Sequence, residues 1–168
     1  MTKRLLLVSC GSAAVVLMGT SIAFHPRPRF VWNASASAPE GLYRVSPDAS
    51  IAVGDMVVAR IPAPFRLLAA RRHYIPANVP LVKRVAAGAG DQICSLGREI
   101  YRNGVWLADR RSVDGAGRLM PAWHGCVRLR SGQYFLLMAA SPLSLDGRYF
   151  GVSDRHDIIG RARLLWAR

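Results

Sequence analysis

Lysine is almost absent from this chain, which makes one lysine conspicuous. Of its 23 basic residues 21 are arginine, and the two lysines are Lys3, at the start, and Lys83. Lys83 lies in Pro80-Leu81-Val82-Lys83-Arg84-Val85-Ala86, an apolar run that reads as a strand. Side chains alternate along a strand, so Lys83 shares a face with Leu81 and Val85, and that apolar face is the one expected to be buried. Burial disfavours the charged ammonium and lowers its pKa from about 10.4, and a neutral amine is a base. A serine hydroxyl becomes a nucleophile when such a base takes its proton. The candidate is Ser37, in Asn33-Ala34-Ser35-Ala36-Ser37-Ala38-Pro39-Glu40-Gly41-Leu42-Tyr43, where small neighbours leave the hydroxyl open and Pro39 and Gly41 restrict the turn behind it. A third segment, Ser144-Leu145-Asp146-Gly147-Arg148-Tyr149-Phe150-Gly151, would put Ser144, Asp146 and Arg148 on one face if extended, which suits a structural ion pair ahead of an aromatic strand. Taken singly, each has an ordinary reading: a solvated loop, a lysine that snorkels to water, a polar turn.

Other chemistries find less in the sequence. His73, His124 and His156 are available to a Ser-His-Asp hydrolase, but no G-x-S-x-G elbow accompanies them. Cys94 and Cys126 have neither a C-x-x-C partner nor nearby ligands, so no metal site is expected and no cofactor is implied. They form an even pair outside the N-terminal apolar run that holds Cys10. A disulfide is one reading and two buried thiols the other.

The elements that must position these residues are short strands separated by Gly, Pro and Asp turns. Strands are expected over residues 56–61, 81–86, 134–138 and 158–166, with one helix over 64–73. Residues 99–108 read as a hairpin, because Asn103-Gly104 supplies the positive φ angles of a two-residue turn. Residues 109–125 read as a loop. The fold class is mainly β, with a small β extension over residues 92–130 inside a domain of residues 30–168.

Residues 1–29 stand apart: Lys3 and Arg4, an apolar run over residues 5–24, then His25-Pro26-Arg27-Pro28-Arg29. That order is the order of an export signal or a transmembrane anchor. A run of 20 residues matches a bilayer, and Ser21-Ile22-Ala23 has the small-x-small pattern of a cleavage site. A formal charge of +13 fits an anionic membrane or an acidic protein. Nucleic acid is disfavoured, because the arginines are scattered and the chain looks exported.

Together the three segments resemble the signal peptidase family of Ser/Lys peptidases (peptidase family S26), and within it the TraF-like branch that matures conjugative pilins. The features that carry this are Ser-x-Pro-x-Gly-Leu-Tyr at Ser37 to Tyr43, Gly54-Asp55 before a strand, Lys83-Arg84-Val85 with Gly90-Asp91, and Ser144-x-Asp-x-Arg-Tyr-Phe-Gly. The resemblance implies a signal-peptidase-like β fold, Ser37 as nucleophile and Lys83 as general base. It further implies Ser144 hydrogen-bonded to the lysine, and Asp146 and Arg148 as its structural support. Ser35 and the Ser37 backbone N–H would form the oxyanion hole. The partners would be a pilin precursor, as protein substrate, and the inner membrane, with the catalytic domain facing the periplasm. Two positions depart from the pattern: Ser37 is two residues from Pro39, as in the TraF-like branch, and Gly147 stands where the family often has serine. The alternative is a catalytically inactive, membrane-tethered scaffold of a conjugation or secretion apparatus, which would account for the charge and leave the motifs unexplained.

Overall fold

A computed structural model describes the backbone of residues 2–23 and 28–168, and the side chains of residues 7–20 and 28–168. Met1, Phe24, His25, Pro26 and Arg27, which belong to the expected N-terminal segment, lie outside the described residues. The apolar run forms helix α1, Thr2–Ala23. Its Leu7, Val8, Val15, Val16, Leu17 and Met18 are exposed. Side chains of this helix are described over residues 7–20, and among the described residues no helix is long and apolar enough to cross a membrane.

The remainder is mainly β. Strands β1 (Phe30–Asn33), β2 (Gly41–Ser46) and β3 (Met56–Ala59) lead to helix α2 (Ala63–Arg71) and strand β4 (Leu81–Ala87). Then come β5 (Gln92–Leu96), β6 (Glu99–Arg102), β7 (Val105–Asp109), β8 (Gly125–Arg128) and β9 (Gln133–Leu136). A one-turn helix α3 (Gly147–Phe150), β10 (Ser153–Asp154) and β11 (Ile158–Ala167) close the chain. They make a seven-stranded sheet in the order β1-β2-β11-β3-β4-β9-β10 and a four-stranded sheet in the order β7-β6-β5-β8, and the neighbouring strands are antiparallel.

Local chemistry explains the joints. Asn103 and Gly104 take φ of 50° and 82°, turning β6 back on β7. Gly41 is needed where β2 meets β11, because a Cβ there would sit 2.0 Å from the Trp166 carbonyl oxygen. Gly54 N–H donates to the Val85 carbonyl and Val85 N–H to the Asp55 carbonyl, so the Gly-Asp turn before β3 is bonded to the strand that carries Lys83. The small sheet is joined within itself by a disulfide between Cys94 of β5 and Cys126 of β8, which are direct cross-strand partners. It joins the large sheet through a core of Ala87, Ile93, Ile100, Ala108, Leu129 and Phe135. Burying such side chains contributes about 1.5–3 kcal/mol each for the larger ones, which fixes the two sheets as one frame around the site.

The segment after Ser144 differs from expectation. It is not extended and leads into no aromatic strand: Asp146 caps α3 by accepting the Arg148 N–H, and Tyr149 and Phe150 are buried helical residues. Four residues are too few for a helical period to be visible in sequence. The short helix is made by its cap and by the ion pair described below.

Candidate active site

Lys83 sits in the middle of β4, opposite Val57 of β3, with Leu81 and Val85 buried on the same face. The next residue, Arg84, is exposed and its Nη1 donates to the Gly54 carbonyl. Lys83 is 2% exposed, and its Nζ donates to Ser37 Oγ at 2.7 Å. Burial pushes its pKa down to about 8; the Asp146 carboxylate acts in the opposite sense, and the Arg148 guanidinium adds to the lowering. The lysine is thus a weak acid beside a hydroxyl, close to the neutral form that can accept a proton.

Ser37 reaches this position through a loop that Asn33 builds. Asn33, buried at the end of β1, directs its Nδ2 at the carbonyls of Ser35, Ala38 and Pro39, and its Oδ1 accepts the Ser35 N–H. Tyr43 adds a hydrogen bond from its hydroxyl to the Pro39 carbonyl. The Ala38 N–H donates to the Ser35 carbonyl, closing a tight turn with Ser37 at its third position. Ser35 Oγ lies 3.1 Å from Ser37 Oγ and 3.4 Å from the Ser37 nitrogen. The two groups expected to bind an oxyanion are therefore side by side, and bonded to each other. The part that Asn33 and Tyr43 play here is not legible in the sequence, because their partners are main-chain N–H and carbonyl groups, which carry no side-chain signature.

Asp146 and Arg148 are 0% and 1% exposed and form a two-point ion pair, Nη2 to Oδ2 at 2.8 Å and Nε to Oδ1 at 2.9 Å. Every remaining contact holds main chain: Asp146 Oδ2 accepts the Met138 N–H, and Arg148 donates to the carbonyls of Ser141, Met138 and Asp109. Such complete bonding is the condition under which a buried pair is tolerated. Ser144 requires a correction. Its Oγ is buried and makes no hydrogen bond, so it does not orient Lys83 in this structure; the lysine's hydrogen bond goes to Ser37 instead. Gly147 has a packing reason to replace serine, since a Cβ would lie 2.8 Å from both the Leu136 carbonyl oxygen and a Phe135 ring carbon.

These groups open onto one cleft of about 640 Å³, lined by Ser35, Ser37, Lys83 and Ser144 together with Trp32 and Leu145. That volume is in the range of ligand-binding clefts, about 300–1,000 Å³. Its far wall joins two distant segments: Tyr74 donates from its hydroxyl to Asp114, and Arg72 Nη1 to the Leu119 carbonyl. None of His73, His124 and His156 lines the cleft. Among the described residues no cluster of His, Cys, Asp and Glu that could hold a metal ion is found.

A family model described as "Signal peptidase, peptidase S26" matches residues 2–167. No curated protein matches the chain significantly. Among solved structures, a signal peptidase I from Enterococcus faecalis aligns with 19% identity and a TM-score of 0.39, over 67% of this chain and 97% of that one.

Proposed function

We propose that this chain, which belongs to the signal peptidase family, peptidase S26, is a serine endopeptidase with Ser37 as nucleophile and Lys83 as general base. The observation that carries the proposal is the 2.7 Å contact between Ser37 Oγ and the Nζ of a lysine that is 2% exposed.

The reaction follows from the groups in place. Neutral Lys83 takes the Ser37 proton as Oγ attacks the scissile carbonyl carbon, and the carbonyl π electrons move to oxygen. The oxyanion is met by the Ser37 backbone N–H and the Ser35 hydroxyl, which exchange their mutual contact for the substrate; each such donor is worth about 3–4 kcal/mol of barrier. Collapse expels the amine, which receives the proton from Lys83 and leaves an ester on Ser37. Water, or a substrate amine held close with water excluded, then resolves the ester. Asp146 and Arg148 hold the 138–148 backbone against the lysine and touch no reacting atom.

The run from Ser37 to Tyr43 supports the TraF-like reading. The substrate is then the precursor of a conjugative pilin, cleaved near its C-terminus and joined through its N-terminal amine. The enzyme would work on the periplasmic side of the inner membrane, associated through its N-terminal segment, or free in the periplasm once that segment is removed.

A serine-reactive acylating probe tests the chemistry. Labelling of Ser37 is expected in the wild-type chain and is expected to vanish in both Ser37→Ala and Lys83→Arg, since a guanidinium keeps its proton at any working pH. A folded Lys83→Arg protein that labels at the wild-type rate would sink the dyad. Mass spectrometry of the pilin from cells with and without this protein tests the substrate.

A further inference from the structure

The cleft has an unpaired charge that the peptidase chemistry does not use. Besides Lys83, the charged residues that line it are Arg111 and Asp114. Asp114 is fully engaged: its Oδ2 accepts from the Tyr74 hydroxyl and from Arg118 Nε at 2.7 Å, and its Oδ1 from the N–H groups of Ala116 and Arg118. Arg111 has no such occupation. It is exposed, and among the described residues its side chain makes no ion pair or hydrogen bond.

Its backbone, in contrast, is fixed. The Arg111 N–H donates to the hydroxyl of the buried Tyr149, and Arg148 Nη1 donates to the carbonyl of Asp109, so the chain leaving β7 is tied to α3. Beyond it the 112–120 loop is held to the opposite wall by Tyr74–Asp114 and by Arg72 to the Leu119 carbonyl. A free guanidinium on a fixed base, in a cleft whose own carboxylate is saturated, is a receptor for an anion with two oxygens in a plane.

We infer that Arg111 recognises a carboxylate of the bound peptide, supplied by an Asp or Glu side chain or by the peptide's own C-terminus. The inference deepens the peptidase reading of the same cleft and rests on it for its meaning. The contact selects substrate, and Arg111 takes no part in the chemistry at Ser37.

The test uses the full chain carrying Ser37→Ala, so that nothing is turned over, and N-acetylated probe peptides in two pairs. One pair is tetra-alanine as free acid and as C-terminal amide; the other is Ala-Ala-Glu-Ala and Ala-Ala-Gln-Ala, both amidated. Calorimetric titration is expected to show the acid of one pair binding about tenfold more tightly than its neutral twin. The pair that responds tells a chain end from a side chain. The chain's excess of positive charge attracts any anion, so the deciding comparison is Arg111→Ala in the same background, which should bring the two affinities together. Arg111→Lys should restore part of the gap. Equal affinities in both pairs, no binding of any probe, or a preference that survives Arg111→Ala would overturn the inference. Failure of the peptidase reading is seen separately, as absence of Ser37-dependent acylation in the wild-type chain.

Discussion

Replacing Lys83 by methionine should make the protein more stable, and the size of the gain should depend on pH. Lys83 is 2% exposed, and burial brings it from 10.5 down to about 8. At about 1.36 kcal/mol per pH unit, that difference means folding carries a cost of about 3 kcal/mol whenever the unfolded lysine is charged and pH lies below 8. The sign follows from proton counting. Below about pH 8 both states bind the proton and the full cost is present. Between 8 and 10.5 the folded state has released it and the unfolded state has not, so stability climbs with pH. Above 10.5 the cost is gone. Methionine fills a similar volume and does not titrate, but loses the hydrogen bond to Ser37 Oγ, worth about 1 kcal/mol. Lys83→Met is therefore expected to be about 2 kcal/mol more stable than wild type at pH 7, and the advantage should vanish or slightly reverse by pH 10.5. Urea unfolding of both proteins from pH 7 to 10.5 measures it, and the difference between them cancels every other titrating group. A difference that stays flat across that range would refute the reasoning, as would a wild type more stable at pH 7.

Two further outcomes are expected. The rate at which a serine-reactive probe acylates Ser37 should rise about tenfold from pH 7 to 9 and then level, following deprotonation of a lysine whose pKa is about 8; a flat profile would count against Lys83 as base. Gly147→Ser should destabilise by about 1–3 kcal/mol, because its Cβ meets the Leu136 carbonyl and the Phe135 ring at 2.8 Å. Thermal unfolding checks this, and an unchanged midpoint would mean that β9 gives way without cost.

What the sequence disclosed was local. The alternation of Leu81, Lys83 and Val85 revealed the lysine's buried face, because a strand's period is visible in a few residues. Asn103-Gly104 marked its hairpin for a similar reason, since few other pairs accept those φ angles. The pairing of Asp146 with Arg148 was legible from residue type, while its backbone was not: the same two residues bond in a capped helical turn as readily as along a strand. Strands β1, β2, β5 and β8 escaped because they are short and owe their existence to partners far away, as Gly41 does to Ala167 and Cys94 to Cys126. The far wall of the cleft was invisible for the same reason, Tyr74 and Asp114 being 40 residues apart.

The order of strands in the large sheet carries a consequence for timing. Ser37 hangs between β1 and β2, and Lys83 lies on β4, paired with β3; the strand that joins these two antiparallel pairs is β11, which follows all the other described strands in the chain. Until β11 has been synthesised and has slotted between β2 and β3, no hydrogen-bond ladder holds the hydroxyl at the amine. Take β11 away and the large sheet falls into two pieces, β1-β2 bearing Ser37 at its connection and β3-β4-β9-β10 bearing Lys83, so the last strand is the seam on which their meeting depends.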